Sequence, residues 1–374
     1  MNGATPKIPS APPVAVVRAT QAVQGHLARF ARGMSPPAFA VLDLVMSRWI
    51  SDALGAFTRL GLADALTAGP RDAAALAREL ELDRGATHRL LRALARSGLL
   101  TEHGGAFGLT RQTEVLRRDH PSSMRNMVLE VTAPRNGEVW AALDEAVRTG
   151  ASAWARAHGD VTMWDYLDEH PEEHAIFHGA MRELTRESAP SLARAVDFGA
   201  FRDVCDLGGG SGELLATILA LHPGLRGRLV DAEAVVASAP AVLAEHGVAD
   251  RCAIAPGDFM RGVPAGCHAY LAKNILHGLG DDLAVRLLSD IRGAMAADGR
   301  VVIVDVVVPE PTGPYLAYLD LQMLLVSDGG RERTRAELEA LLARAGLALE
   351  SVVATATPMS VAVARQRVGG ASAG

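Results

Sequence analysis

Cysteine is scarce in this 374-residue sequence: Cys205, Cys252 and Cys267 are the only three, and no two of them form a Cys-x-x-Cys pair. That excludes a disulfide framework and a cysteine zinc site, and with no secretory leader in view the expected compartment is a reducing cytoplasm. Aromatic residues are also sparse, at 4% of the chain. No uninterrupted run of about 18 apolar residues occurs, so no membrane span is expected. Surplus positive charge is missing too: 37 Lys and Arg stand against 43 Asp and Glu, a net charge of −6. Such a balance gives no general attraction to nucleic acid or to an anionic membrane. The expected partner is a small molecule or another subunit.

What the chain does have is apolar bulk. Its hydrophobic fraction is 49%, over a length that exceeds one ordinary core, so two domains are expected. Residues 1–13, rich in Pro, Ala and Ser without a period, read as a disordered arm, and 365–374 as a flexible tail. From 41 to 66 apolar residues recur at helical spacing (Leu44, Ile50, Leu54, Phe57, Leu60), giving helices with a face suited to packing against a second copy of the chain. Residues 72–110 read as helix, turn, helix and a hairpin around Gly104-Gly105, with Asp83 as an N-cap. That is a winged-helix outline. Its second helix leaves Arg84, Arg89, Arg92 and Arg96 off the inward face. Yet residues 71–104 hold six Arg against five acids, too even a balance for duplex binding. A packing and dimerisation module over 14–125 is the preferred reading.

The following segment, 126–198, reads as a helical linker. It carries Trp140, Trp164, Tyr166 and Phe177, four of the chain's 16 Phe, Trp and Tyr residues, together with Met181. Two readings stay open: plain core, or a wall that stacks on a flat substrate. Tyr315, Leu319 and Met323 are further wall candidates.

From 201 onward short apolar strands alternate with amphipathic helices, the pattern of a mostly parallel α/β sheet covered on both faces. Candidate strands are 204–207, 228–231, 253–255, 269–271 and 301–308. The first runs into Gly208, Gly209, Gly210, Ser211 and Gly212 before a helix begins near Glu213. Glycines there let backbone approach a ligand lying across the carboxyl ends of the strands. A nicotinamide dinucleotide loop would want Gly at 213, where Glu stands. Asp231 ends the second strand, 19 positions after Gly212, placed to accept ribose hydroxyls. Asp258 follows the third strand beside Phe259. Each Asp alone could equally be a loop cap.

Together, VCDLGGGSG at 204–212, GDF at 257–259, KNILH at 273–277 and GGRERT at 329–334 resemble the class I S-adenosylmethionine-dependent small-molecule O-methyltransferases of plant phenolic and bacterial polyketide type. The resemblance spans residues 40–362, including the winged-helix front and WDY at 164–166. It implies a Rossmann-like catalytic domain over 199–364, a mainly α-helical N-terminal domain, a homodimer, and S-adenosylmethionine as cofactor. By the same resemblance Asp206, Gly208, Gly210 and Gly212 belong to the loop holding the methionine part. Asp231 would serve the ribose, Asp258 and Phe259 the adenine, and Lys273 would lie near the cofactor.

The resemblance makes His277 the general base, flanked by Asp305 and Glu332. The chemistry suits a His: a phenol with pKa about 10 is scarcely ionised at neutral pH, and an imidazole near 6.5 can take its proton during attack. No metal is required. Asp305 interrupts the apolar run 301–308, and a charge in a buried strand is costly unless it faces a partner. Where the family commonly has Glu, Asp305 is one methylene shorter. Where the family follows its base with Asp and Trp, this chain reads His277-Gly278-Leu279-Gly280. That departure keeps a second reading open, a same-fold decarboxylase, hydroxylase or cyclase. A winged-helix transcription regulator is a third, disfavoured by charge.

Overall fold

The computed structural model of the chain describes residues 8–159, 161–309 and 313–367. Of the expected arm, residues 8–13 carry neither helix nor strand, and residues 1–7 lie outside the described residues, as do 368–374 of the expected tail. The chain forms two compact units. One comprises Arg18–Gly137 and His170–Leu184, the other Met1–Val17, Glu138–Glu169 and Thr185–Gly374. The expected linker 126–198 is therefore divided between them rather than standing apart, because its helices pack into both cores.

In the first unit, strands β1 (Arg71–Asp72), β2 (Leu100–His103) and β3 (Ala106–Leu109) form an antiparallel sheet in the order β1-β3-β2. Gly104 and Gly105 both take positive φ, which lets a two-residue turn match the strand twist. Helices Ala73–Glu79 and Arg84–Arg96 start at Asp72 and Asp83, whose carboxylates accept the N–H groups of Ala75 and Ala86 at 2.9 and 2.7 Å. Each such cap is worth about 1 kcal/mol. Thr87, Leu91 and Leu94, at helical spacing, face a core of Phe57, Leu62, Leu76, Leu100 and Phe107.

Two longer helices behave differently. Val14–Met34 buries no residue. Pro37–Arg59 buries only its last turns, at Gly55, Phe57 and Thr58. The apolar face expected there is thus split: Phe57 is enclosed, whereas Leu44 and Ile50 stand open, as do Val45 and Trp49 at 66% and 64% exposure.

In the second unit the strands are β4 (Asp203–Leu207), β5 (Arg226–Asp231), β6 (Cys252–Pro256), β7 (Ala269–Lys273), β8 (Arg300–Asp305), β9 (Val307–Val308), β10 (Arg333–Thr334), β11 (Leu347–Ala354) and β12 (Ser360–Gln366). Seven of them form one sheet in the order β11-β12-β8-β7-β4-β5-β6. β12 is antiparallel to both neighbours and the other pairings are parallel. Residues of β8 alternate between cores: Val302 and Val304 join Leu215, Ile218 and Leu219 on one face, Val301 and Ile303 join Leu287, Leu288 and Ile291 on the other. This is a Rossmann-like architecture, a mixed sheet with helices on both faces and a helical N-terminal region.

Two expectations are corrected and two strands added. The single strand expected over 301–308 breaks at Val306, and β9 pairs instead with β10, a partner that the apolar residues on either side of Asp305 do not reveal. β11 and β12 were not anticipated. The tail expected from 365 begins inside β12, since Arg365 pairs with both Ala348 and Arg300.

Candidate active site

β4 lies between β5 and β7, so chain direction across the sheet switches there, and two loops leave the carboxyl ends of β4 and β7 side by side. Open α/β sheets bind ligands in such a crevice. After Leu207 the chain enters Gly208, Gly210 and Gly212 with φ of 65°, 62° and 80°, a left-handed path that side chains resist. A Cβ at Gly208 would also lie 2.6 Å from Ile275 Cδ1. Asp231, at the end of β5, ties the loop down: its Oδ2 accepts the Gly210 N–H and its Oδ1 the Ala232 N–H, both at 2.8 Å.

Asp206 is buried at 1% exposure, and its Oδ1 has no partner among the described residues. Burial, then the negative charge of Asp231, push its carboxyl up to about 8, against the pull of Lys273. Burial pulls the Lys273 ammonium down to about 8, while Asp206 and Asp305 oppose that shift. An orphaned buried carboxylate beside a bare glycine path is what a cationic, amine-bearing ligand would complete. Asp258 is exposed, accepts the Met260 N–H at 2.8 Å and pairs with Arg261 at 3.2 Å. Phe259 is half-buried and packs toward Gly208 and Ile275.

Beyond β7 a short 3-10 turn, Leu276–Gly278, carries His277. Its Nδ1 lies 2.9 Å from Glu332 Oε1, and the Glu332 side chain is fully buried. Donation from Nδ1–H to that carboxylate fixes the neutral tautomer with Nε2 as the free base. Burial alone would lower the imidazole, but the Glu332 hydrogen bond and the charges of Asp305 and Glu332 raise it above 6.5. Asp305 acts through space: no hydrogen bond joins it to His277 among the described residues, and its Oδ1 is unpartnered. Burial, moderated by His277, pushes Asp305 up to about 6.

One positioning group escaped sequence reasoning. Asp320, on helix Pro314–Val326, accepts the Glu332 backbone N–H at 2.8 Å and so fixes the acid that faces the imidazole. Its partner is 12 residues away across a loop, and no motif marks the pair.

The expected wall residues fall in both units. Phe177 and Met181 belong to the first unit, whereas Trp164, Tyr315, Leu319 and Met323 belong to the second. Trp164 and Tyr315 are 57% and 63% exposed. Trp140 and Tyr166 join a satellite core with Trp154 and Leu325, where the Trp140 indole donates to Gln322 at 2.6 Å.

Comparison with known proteins gives a consistent picture. Residues 140–348 match the O-methyltransferase domain family and residues 42–119 the O-methyltransferase dimerisation domain family. The chain is 35% identical over 335 residues to phenazine O-methyltransferase PhzM of Lysobacter antibioticus, covering 89% of this chain and 97% of that one. It is 39% identical over 298 residues to the 8-amino-8-demethylriboflavin N,N-dimethyltransferase of Streptomyces davaonensis, covering 78% and 85%. Among solved structures, CalO1, a methyltransferase of calicheamicin biosynthesis in its S-adenosylhomocysteine-bound form, superposes with a TM-score of 0.75 at 37% identity, covering 88% of this chain and 98% of that one.

Proposed function

The chain belongs to the S-adenosylmethionine-dependent O-methyltransferase family, and on that premise we propose that it methylates a hydroxyl of a small aromatic or polyketide-like molecule with His277 as general base. The observation that carries this reading is the His277–Glu332 pair at 2.9 Å beside the glycine loop.

The cofactor supplies an electrophilic methyl group on a sulfonium. The residues present fit it: Gly208, Gly210 and Gly212 leave room for the methionine part, the orphaned Asp206 carboxylate suits an ammonium, and Asp231 suits the ribose. Phe259 and Asp258 are assigned to the adenine and Lys273 to the cofactor's vicinity.

His277 Nε2 takes the proton of the acceptor hydroxyl. Glu332 holds the imidazole by Nδ1–H and stabilises the imidazolium that results, and the Asp305 charge adds to that stabilisation. The rest is alignment, which can lower a barrier by several kcal/mol when reacting atoms are held near contact. Trp164, Tyr315, Leu319 and Met323 in the second unit, and Phe177 and Met181 in the first, remain proposed substrate contacts. The exposed apolar residues of Pro37–Arg59, within and beside the matched dimerisation segment, support a homodimer.

A second reading, an amine nitrogen as acceptor, is favoured by the 39% identity to an N,N-dimethyltransferase. An uncharged arylamine needs no proton removed before attack, so the two readings differ in their need for His277. Incubation with ¹³C-methyl-labelled S-adenosylmethionine and a panel of phenols and arylamines tests this. An O-methyl product that depends on His277 supports the hydroxyl reading; an N-methyl product formed equally by His277→Ala overturns it.

A further inference from the structure

The residue that follows Glu332 reaches under the loop that carries the base. Arg333 is 5% exposed. Its Nη1 donates to the Leu276 carbonyl at 2.6 Å and its Nη2 to the Leu279 carbonyl at 2.7 Å. These two carbonyls bracket His277. Nε and Nη2 also donate to Asp281 Oδ1 at 3.1 and 2.8 Å, and Arg331 donates to Asp281 Oδ2 at 3.3 Å. The two loops meet backbone to backbone as well: a Cβ on Gly330 would lie 2.8 Å from the His277 carbonyl oxygen.

We infer that Arg333 is a positioning residue that clamps the His277 loop and thereby keeps the imidazole on Glu332. The inference rests on the reading of His277 as the base. The loop needs a clamp because Gly278 and Gly280 give its backbone wide conformational freedom. A planar five-donor fork can span two carbonyls and a carboxylate together, which an ammonium cannot. Successive side chains of an extended segment point to opposite sides. Glu332 therefore engages the imidazole while Arg333, the first residue of β10, engages the backbone behind it, and two adjacent residues set both. The Asp320 bond to the Glu332 N–H pins that segment from a third side.

The test titrates His277 by ¹⁵N-imidazole NMR in the presence of S-adenosylhomocysteine, its resonance identified as the one missing in His277→Asn. In Arg333→Lys the His277 pKa is expected to fall by about half a unit or more and the Nδ1–H signal to broaden into solvent exchange. S-adenosylhomocysteine affinity should stay within about twofold, well under a tenfold change of 1.4 kcal/mol. Asp281→Asn, which leaves the two carbonyl bonds in place, should shift His277 in the same direction by less. If Arg333→Lys fails to fold, Asp281→Asn decides by itself. An unchanged His277 titration in a folded variant overturns the clamp. Failure of the methyl-transfer reading looks different: wild-type protein would transfer no methyl group to any acceptor while the NMR titration still reported on Arg333.

Discussion

The Nδ1 of His277 stands 2.9 Å from Oε1 of Glu332, an acid 55 residues further along the chain. The contact exists because β9 pairs with β10, bringing the 329–334 segment past the carboxyl end of β8 to the loop that follows β7. It determines both the tautomer of the imidazole and the side from which a substrate can use it.

That contact fixes a pH dependence. A base must be neutral to accept a proton, and His277 is held above 6.5 against its burial by Glu332 and Asp305. Methyl transfer should therefore rise with pH along a limb whose midpoint lies above 6.5. Glu332→Gln removes a cause of the upward shift, so the midpoint should move to lower pH. The plateau rate should fall by about 10-fold or more as orientation and charge stabilisation are lost. A pH–rate profile checks both; an unmoved midpoint would detach Glu332 from the base.

Asp206 illustrates stability given up at a binding site. Its carboxyl is raised to about 8 in the fold, far above an unfolded value of about 3.9. A folded-state pKa raised in this way favours folding at low pH, and the advantage is lost as pH rises toward 8 because the native state binds the extra proton. Asp206→Asn should raise the Tm of ligand-free protein by about 2 °C or more at pH 8. The gain should vanish near pH 4, and affinity for S-adenosylhomocysteine should weaken. Calorimetric scans at the two pH values, with and without ligand, measure all three effects.

The proposed homodimer would use the open apolar face of Pro37–Arg59. Val45 and Trp49, at 66% and 64% exposure, sit one helical turn apart. Sedimentation should find wild-type dimers, and Trp49→Asp should shift the population toward monomer by placing a charge in the interface core. A monomeric wild type, or an unmoved equilibrium in the variant, would contradict the homodimer.

Legibility in the sequence followed locality. The glycine loop could be read because strand, glycines and helix are contiguous, and Asp231 because strand ends recur at a steady interval. Asp83 could be read as a cap because capping is decided within three residues. Glu332 was found only through its family resemblance. Asp320, Asp281 and Arg333 were not assigned roles, because their partners lie 12 to 57 residues away and arise from loop packing. The break at Val306 is hidden because Val307 and Val308 have the same β propensity as Val301, Val302 and Val304 before it. The wall residues are illegible in the sequence for a related reason: chemical type says that Trp164 and Tyr315 can stack, whereas what they face is decided by packing between distant segments.

The most direct test of His277 as the base compares wild type with His277→Ala in two measurements on the same preparation: calorimetric binding of S-adenosylhomocysteine, and single-turnover methyl transfer to the best phenol of the panel. Unchanged cofactor binding with transfer reduced by at least about 10²-fold is the result predicted for a general base. Transfer at the wild-type rate by His277→Ala would contradict it.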